Sequence, residues 1–335
     1  MILSLFILVK WLSYSLKREF IFDTIENHIQ PEVLMLYVYS RTHSHAFGNL
    51  KYFIDHAVRA NDGVDYYFIL QNVDNQRVNE SELPRLPRRN AHYIQHENIC
   101  FDFGSVGWFL NKYTVGNPWI NQTNITNSEQ KINITQYRYF IMINSSVRGP
   151  FFPPYFLQSA ADYEKEFDKP LHWYYVFTKR LNRKVKLTGC TISCGPVPHV
   201  QSYVLVTDFV GLTILLEPGA RGGSRSEGIF GCYPMKGDVS LFSEVASSTR
   251  ILEAGYMIDC LLGKYQTIDF REKHNLRCNN NRQPYFDKEF EGGSLEPYEV
   301  VFIKYADAEY LSIPRRRAQL YERWMRDGNN QNTTI

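Results

Sequence analysis

Apolar runs separated by amphipathic segments dominate the chain from residue 31 to residue 143. The run Val33–Tyr39 is apolar throughout, which is typical of a parallel strand that is buried on both faces. The following segment, 49–60, carries apolar residues at helical spacing, so we expect a helix there. Further elements are expected as strands at 66–70, 91–94 and 139–143 and as a helix around 106–110. This alternation predicts an α/β fold with a mostly parallel, Rossmann-like sheet flanked by helices.

The second half of the chain has a less regular pattern. Its expected elements are a strand at 185–188, a helix over 200–216 bent near Gly211, a helix over 243–262 broken at Gly255, and a strand at 300–303. We see no internal repeat. The simplest division is a single catalytic domain over 31–325, preceded by an apolar segment, 1–30, and followed by a polar tail, 326–335.

The apolar N-terminal segment has three interpretations. Residues 2–16 are mostly apolar, but Lys10 interrupts them and the run is shorter than the ~20 residues of a membrane-spanning helix. We favour a short signal anchor that tethers the chain to a membrane. An amphipathic first helix and an incomplete gene model are the alternatives.

Charge and cysteine content narrow the class of protein. The 37 basic and 35 acidic residues give a formal net charge of +2, which argues against a dedicated nucleic-acid-binding protein. The six cysteines include no Cys-x-x-Cys pair of a zinc site, and their even number permits three disulfides. Six buried thiols in a cytosolic enzyme are the alternative.

Glycosylation signals favour a secretory compartment. Asn-x-Ser/Thr sequences begin at Asn79, Asn121, Asn124, Asn133, Asn144 and Asn332. Such sequences are acceptors for N-linked glycans on surface loops of secreted proteins. We therefore expect the chain in the Golgi or ER lumen.

Several common catalytic motifs are absent from the sequence. The glycine-rich stretch 219–225 lacks the Gly-Lys-Ser/Thr ending of a phosphate-binding P-loop. The chain also contains no His-Glu-x-x-His, no Gly-x-Ser-x-Gly, and no Gly-x-Gly-x-x-Gly after its first strand. These absences disfavour P-loop kinases, the corresponding proteases and hydrolases, and simple dehydrogenases.

Two polar segments follow predicted strands. The segment 96–105 contains Asn98, Asp102 and Gly104 at the end of a strand and the start of a helix, where open α/β sheets bind ligands. Asp102 would equally serve as a carboxylate that stabilises a helix N-terminus. The segment 143–150 provides small polar groups, an arginine and a Gly-Pro turn, which would fit phosphate or a sugar. A plain turn explains it as well.

Two further segments carry candidate catalytic chemistry. His199 and Gln201 stand at the start of the predicted helix 200–216, where a histidine can orient a hydroxyl or be a simple helix cap. Glu244 opens the predicted helix 243–262. A carboxylate fixed beside a cleft can act as a general base, although the same residue would also complement the helix dipole.

Taken in order, these segments resemble a GT-A type glycosyltransferase, closest to the rhamnan-synthesis-F-like and family 2-like sugar transferases. That group has an Arg-x-Asn-x-Gly-Tyr-Asp-Phe-Gly-like segment, matched by 96–104, and an Asn-Asp-Ser-x-x-Gly-Pro-like strand end, matched by 144–150. A Gln-Ser-Tyr segment is matched by 201–203, and a Glu-Asp-x-x-Leu-Ser-x-Arg helix that ends in Gly-Tyr is similar to 244–258. The resemblance spans roughly residues 33 to 262.

The resemblance implies a transferase that moves a sugar from a nucleotide-sugar donor to a hydroxyl of a glycan or glycoprotein. The implied roles are nucleotide binding by Asn98, Asp102 and Gly104, donor diphosphate contact by Asn144, Ser146 and Arg148, acceptor positioning by His199 and Gln201, and base catalysis with inversion by Glu244.

The metal requirement is open. GT-A enzymes bind Mn²⁺ or Mg²⁺ through an Asp-x-Asp motif, which would fall at 144–146, where this chain has no carboxylate. Arg148, Arg221 or Arg225 is a candidate to supply positive charge to the diphosphate instead.

Two other functions remain alternatives. The missing motif fits a catalytically inactive GT-A fold that binds sugar or assembles a complex. The glycosylation signals and the even cysteine count fit a secreted structural glycoprotein.

Overall fold

The computed structural model describes residues 31–73, 76–87, 89–119, 131–167, 171–219, 223 and 225–331. The segment 1–30, Arg221, and the glycosylation signals at Asn121, Asn124 and Asn332 lie outside the described residues.

A seven-stranded, mostly parallel sheet with flanking helices forms the centre of the fold, as the alternating pattern predicts. Its strands are β1 Val33–Tyr39, β2 Val64–Asn72, β3 Ala91–Glu97, β4 Tyr139–Asn144, β5 Val185–Gly189, β6 Val204–Asp208 and β7 Met257–Cys260. Their order across the sheet is β7-β5-β6-β4-β1-β2-β3. All neighbouring strands are parallel except β6, which is antiparallel to both β4 and β5.

Helices cover and connect the strands. Those of eight residues or more in the described part are α1 Ala46–Ala57, α2 Phe101–Tyr113, α3 Pro154–Phe167, α4 Phe209–Leu216, α5 Ala246–Glu253 and α6 Ser312–Gln331. One-turn helices lie at Tyr175–Thr178, Lys236–Val239 and Pro297–Val300. A π-helical segment, Ser240–Val245, leads into α5.

Short elements complete the described structure. Two-residue strands pair Thr114–Val115 with Ile132–Asn133, Val147–Arg148 with Ile303–Lys304, and Ile192–Ser193 with His199–Val200. Single 3-10 turns are formed by Glu80–Glu82, Ile134–Gln136, Gly263–Tyr265, Lys273–Asn275, Cys278–Asn281 and Glu309–Leu311.

The buried strands explain why the first half of the sheet follows the apolar pattern. Every residue of β1 is at most 3% exposed, because β2 and β4 flank it and helices cover both faces. Burying one valine or leucine side chain contributes about 1.5–3 kcal/mol, so an uninterrupted apolar run is most stable in this central position. The strands predicted at 33–39, 66–70, 91–94, 139–143 and 185–188 and the two predicted helices of the first half are confirmed.

The predicted helix 200–216 is wrong in its first half. Residues 204–208 form β6, a central strand, and the helix α4 begins only at Phe209. Val204 and Val206 are β-branched and favour the strand. The Asp208 carboxylate caps the start of α4, because it accepts a hydrogen bond from Gly211 N at 2.9 Å. Gly211 lies within the first turn of α4, where a side chain would overlap Thr207.

Two further predictions of the second half are also corrected. The helix expected over 243–262 ends at Glu253, and Gly255, with a φ of 86°, turns the chain into β7. Only glycine adopts such a φ without strain, so the apparent break is a helix end. The strand expected at 300–303 is shifted to Ile303–Lys304, because Pro297 starts a one-turn helix before it.

The cysteines form two disulfides, Cys100–Cys232 and Cys194–Cys278. Cys190 and Cys260 are buried thiols. Two of the three disulfides that the even count permits are therefore present. The first one ties the start of α2 to the segment that precedes Lys236–Val239.

Candidate functional site

Polar residues from distant parts of the chain meet where the parallel strands end. Because β6 is antiparallel, its start lies beside the end of β4, with Val204 opposite Ile143. This edge of an open α/β sheet is the usual place for a ligand. A small cleft opens here, lined by residues that include Val38, Asp102, Asn144 and Ser202.

We call six residues at this edge the polar cluster: Asp102, Asn144, Ser146, Ser202, Glu244 and Lys304. All six residues are partly exposed, although their chain neighbours are mostly buried. Partial exposure at the bottom of a cleft leaves polar groups within reach of a ligand.

Asn144 is the hub of hydrogen bonding in the polar cluster. Its Nδ2 donates to Asp102 Oδ2 at 2.9 Å, and its Oδ1 accepts from Ser146 N at 3.1 Å. The Ser146 hydroxyl also donates to Asn144 Oδ1. The end of β4 is therefore joined to the start of α2 through side chains alone.

Lys304 brings a positive charge to the same place. Its Nζ donates to Ser146 Oγ at 2.8 Å and lies 5.4 Å from the ring centre of Tyr203 and 6.0 Å from that of Tyr285. Burial lowers the pKa of the Lys304 ammonium, while the carboxylates of Glu244 and Asp102 oppose that shift. None of the sequence motifs includes this residue, although a lysine directly after the apolar run 300–303 was a usable signal.

Glu244 faces the cluster from the π-helical segment. Burial raises the pKa of its carboxyl above the usual value, and the nearby Asp102 carboxylate raises it further. Lys304 and a hydrogen bond from Ser202 act in the opposite direction. Shifts of this kind, caused by burial and specific charged neighbours in a cleft, are typical of functional carboxylates.

The two-residue strand that carries Lys304 is held in place from α1. It pairs with the short strand that lies just beyond β4. Asn49 Nδ2, on α1, donates to both Ser145 O and Tyr305 O at 2.9 Å. Tyr305 N donates to Ser146 O at 2.7 Å. A helix, a strand end and a C-terminal segment are thus locked together around Lys304.

Arg148 lies in the neighbouring strand but is not part of the polar cluster. Its Nε donates to Asn49 Oδ1 at 2.9 Å, its Nη1 forms an ion pair with Glu322 of α6 at 3.0 Å, and its guanidinium lies 3.8 Å from the ring centre of Tyr305. Since Glu322 neutralises it, Arg148 stabilises the packing of α6 on this edge. Arg225 is more than half exposed and pairs with Asp238 at 3.4 Å.

Asn98 and Gly104, the other two residues predicted to bind nucleotide, have backbone roles. Asn98 N donates to Asn72 O at 3.2 Å, which extends the pairing of β2 and β3 by one bond. Gly104 lies inside α2, where a side chain would overlap that of Cys100. It therefore lets the Cys100–Cys232 disulfide pack closely against the helix.

His199 and Gln201 are buried and bond to each other. His199 Nδ1 donates to Val197 O at 2.8 Å, so its Nε2 is free to accept from Gln201 Nε2 at 3.2 Å. Gln201 Nε2 also donates to Gln283 Oε1 at 3.0 Å, and burial lowers the pKa of the His199 imidazole. Of the Gln-Ser-Tyr segment, Ser202 is the residue that lines the cleft.

A second cleft, of about 330 Å³, lies beside the end of β1. Its lining includes Tyr39, Arg41, His43, Ser44, Phe47 and Glu82. The loop after β1 is tied to the loop after β4, because Ser40 N donates to Ser145 Oγ at 3.1 Å. Burial lowers the pKa of the His43 imidazole, and the Asp307 carboxylate opposes this shift. The second cleft and the polar cluster therefore share one rim.

The position that the resemblance assigns to metal-binding carboxylates carries none. Mg²⁺ and Mn²⁺ take oxygen ligands that usually include one or two carboxylates, and residues 144–146 offer only amide, hydroxyl and backbone oxygens, so the carboxylates of the polar cluster are Asp102 and Glu244. The Asn144 side-chain oxygen already accepts two hydrogen bonds from Ser146. Within the described ranges, no group of three or more His, Cys, Asp or Glu side chains is arranged to hold a metal ion.

Comparison with known proteins adds no relative. The chain matches no protein-family model and no curated protein. None of the helices described here has the length and apolar character needed to cross a membrane. The polar cluster and the motifs that supply it are therefore the features that bear on function.

Proposed function

We propose that this protein is a nucleotide-sugar-dependent glycosyltransferase with a GT-A-like domain, acting in a secretory lumen. One observation carries the proposal. The four motifs that resemble the family are far apart in the sequence, yet they contribute Asp102, Asn144, Ser202 and Glu244 to a single polar cluster. The two disulfides support an oxidising compartment.

In the proposed reaction Glu244 is the general base. Its carboxylate takes the proton of an acceptor hydroxyl, and the acceptor oxygen forms a bond to the anomeric carbon of the donor sugar. The bond from that carbon to the diphosphate oxygen breaks, and its electron pair leaves with the nucleoside diphosphate. This single displacement inverts the anomeric centre. The raised pKa of Glu244 suits the task, because a base works best when its pKa approaches the working pH.

The donor occupies the rim that the two clefts share. Aromatic and charged side chains of the second cleft, such as Tyr39 and Arg41, would contact the nucleoside. Asp102, Asn144 and Ser146 would then lie beside the diphosphate and the sugar. The acceptor is a glycan or glycoprotein hydroxyl that approaches Glu244 from the Ser202 side.

A catalytically inactive sugar-binding or assembly subunit is the second candidate. It is favoured by the absence of a carboxylate at 144–146 and by the Asp102 carboxylate, which is already bonded to Asn144. This candidate predicts glycan binding without turnover of any nucleotide sugar.

The secreted structural glycoprotein, the third candidate, rests on the glycosylation signals. Asn79 and Asn133 are exposed, as glycan acceptors must be. Asn144 differs from them in being only partly exposed, and its Nδ2, the atom that a glycan would modify, donates to Asp102. We therefore expect Asn144 to remain unmodified.

The test of the proposed function combines binding and turnover. The purified protein is screened by thermal unfolding against UDP, GDP, dTDP and CMP, each with EDTA, Mn²⁺ or Mg²⁺. A ligand at about 100 times its dissociation constant stabilises the fold by about 2.7 kcal/mol. We expect a selective shift with one nucleotide and hydrolysis or transfer of the corresponding nucleotide sugar. Absence of both refutes the transferase, and binding of glycans alone supports the inactive subunit.

A further inference from the structure

We propose that Lys304 supplies the positive charge that stabilises the leaving diphosphate, in the place of a divalent metal ion. This inference rests on the proposed function and specifies the group that binds the diphosphate part of the donor. The ligand class is a diphosphate, bound through its oxygens by an ammonium group.

The reaction requires a cation or strong hydrogen-bond donors near the leaving group. When the sugar–oxygen bond breaks, the diphosphate gains negative charge, and fixed positive groups at that point lower the barrier. The position where the resemblance places metal-binding carboxylates carries Asn144, Ser145 and Ser146. Without a metal ion at this position, the charge would come from another residue at the same strand end.

Lys304 reaches that strand end directly. Its Nζ is 2.8 Å from Ser146 Oγ, and the residue is partly exposed. An ammonium group has three N–H donors. In the described structure Nζ donates one of these hydrogen bonds, to Ser146 Oγ. The rings of Tyr203 and Tyr285 lie beside Nζ but do not accept conventional hydrogen bonds. Two donors are available for diphosphate oxygens.

Three arginines near the sheet edge are engaged in ion pairs, whereas Lys236, an exposed lysine whose charge acts on both Glu244 and Lys304, is a second candidate cation. Arg148 is neutralised by Glu322 at 3.0 Å, and Arg225 pairs with Asp238 on the surface. Arg41 lies 3.6 Å from Glu82 in the second cleft. Lys304 instead faces two carboxylates, Asp102 and Glu244, which oppose the lowering of its pKa by burial. A compact ammonium of this kind is a common phosphate ligand.

Binding of the diphosphate would also prepare the base. Lys304 lowers the pKa of the Glu244 carboxyl in the free protein. When Lys304 turns its free donors to the diphosphate, its charge is shared with the ligand, and the Glu244 carboxylate becomes a stronger base. The donor and the proton acceptor are thus linked through one ammonium group.

The experiment measures the binding of inorganic pyrophosphate, UDP and GDP by isothermal titration calorimetry, in EDTA and in Mn²⁺. Four proteins are compared: the wild type, Lys304→Gln, Lys304→Arg and Lys51→Gln. Lys51 is an exposed lysine of α1, so its substitution removes the same charge without touching the cleft. Thermal unfolding without ligand shows which variants are folded.

We expect the wild type to bind pyrophosphate in EDTA, with little gain from Mn²⁺. Lys304→Gln should weaken this binding by at least about tenfold, equivalent to about 1.4 kcal/mol. Lys304→Arg, which keeps the charge, should stay within about threefold of the wild type, and Lys51→Gln should match it.

Binding of pyrophosphate that requires Mn²⁺, or that survives Lys304→Gln unchanged, overturns the inference. If Lys304→Gln does not fold, the comparison of EDTA with Mn²⁺ in the wild type and in Lys304→Arg decides. The two proposals fail separately. Turnover of a nucleotide sugar that depends on Mn²⁺ and not on Lys304 leaves the transferase standing. Pyrophosphate binding that depends on Lys304, without turnover of any nucleotide sugar, refutes the transferase alone.

Discussion

Asn144 Nδ2 donates to Asp102 Oδ2 at 2.9 Å and thereby joins the end of β4 to the start of α2. The other Asp102 oxygen accepts from Phe103 N at 3.1 Å, so both oxygens of the carboxylate are held in place. Between the strand β3 and this carboxylate, Phe101 adopts a φ of 54°, which is unfavourable for a bulky residue. The backbone is therefore locally strained directly before Asp102.

Replacing Asn144 with aspartate should show how much the stability of the fold depends on the hydrogen bond between Asn144 and Asp102. Asn144→Asp places a second carboxylate within hydrogen-bond distance of Asp102, and two like charges so close cannot both ionise at low cost. We expect a loss of about 1–3 kcal/mol in the free energy of unfolding at pH 7, partly recovered at pH 5. Urea unfolding at both pH values measures it.

The matched control is Asn133→Asp. Asn133 is exposed, and its Oδ1 accepts from Thr135 N at 3.0 Å, a bond that aspartate retains. We expect its stability to stay within about 0.5 kcal/mol of the wild type. Equal stability of the two variants at pH 7 would show that Asp102 and Asn144 are not coupled.

Replacing Glu244 with glutamine should separate binding from transfer. The proposed base is lost while the shape of the cleft is kept, so transfer should fall by about 10²- to 10⁴-fold and nucleotide affinity should change little. Glu253→Gln, at an exposed position of α5, is the control and should retain full activity. Near-normal transfer by Glu244→Gln would remove Glu244 from the mechanism.

The pH profile of the wild type provides a second measure of Glu244. Burial and Asp102 raise its pKa above the usual 4.5, so the ionised base is lost as the pH falls from neutrality, before an ordinary glutamate would be protonated. We expect kcat to decline on the acid side with an apparent pKa above 4.5. An acid limb at or below that value would point to a different base.

Thiol labelling should distinguish the six cysteines. The disulfides Cys100–Cys232 and Cys194–Cys278 protect four of them, and Cys190 and Cys260 remain thiols in the buried interior. Denatured but unreduced protein should therefore take up two alkyl groups, which peptide mapping should locate at Cys190 and Cys260. After reduction all six residues should react. Uptake of no label before reduction would mean a third disulfide, and uptake of six would mean none.

Asp62 should give the protein a measurable pH dependence of stability. It is 5% exposed and accepts hydrogen bonds from the Tyr66 hydroxyl at 2.6 Å and the Asn90 amide at 3.1 Å. Burial raises the pKa of its carboxyl from 3.8 to about 6. Between those values the folded protein binds more protons than the unfolded chain, so the contribution of Asp62 to the free energy of unfolding falls as the pH rises.

Asp62→Asn should remove this fall. We compare the free energy of unfolding of the variant with that of the wild type at each pH. This difference should favour the variant by about 1–3 kcal/mol more at pH 7 than at pH 4, because a shift of one pKa unit corresponds to about 1.4 kcal/mol. Comparing the two pH values cancels any cost of the amide that does not depend on pH. Asp55→Asn, on the exposed face of α1, is the control substitution. An unchanged pH dependence in Asp62→Asn would contradict the assignment.

The sequence pattern predicts the sheet well where burial alone decides the structure. β1 is buried on both faces, and its seven apolar residues specify a strand without help from the rest of the chain. β6 is as deeply buried, but its apolar residues run without a break into α4, so periodicity alone does not separate the strand from the helix. The boundary is set by Asp208, which caps the helix, and by the place that β5 and β4 leave for a strand.

The candidate site is predictable only in part for a similar reason. Asp102, Asn144 and Glu244 lie in motifs whose order along the chain carries information. Arg148 belongs to such a motif, yet it forms an ion pair with Glu322 and is not part of the polar cluster. No local pattern predicts an ion-pair partner that lies 174 residues later in the chain. Lys304 lies outside every motif and reaches the site through a two-residue strand.

The late position of Lys304 has a consequence for biosynthesis. A growing chain has all seven strands of the sheet once Cys260 has left the ribosome, but Lys304 is still 44 residues away. Until then the carboxylates of Asp102 and Glu244 face each other without the ammonium that balances them. The strands of the sheet are therefore translated before the lysine that balances the charge of the cleft. A chain that stops between Cys260 and Lys304 has a nearly complete sheet and an incomplete site.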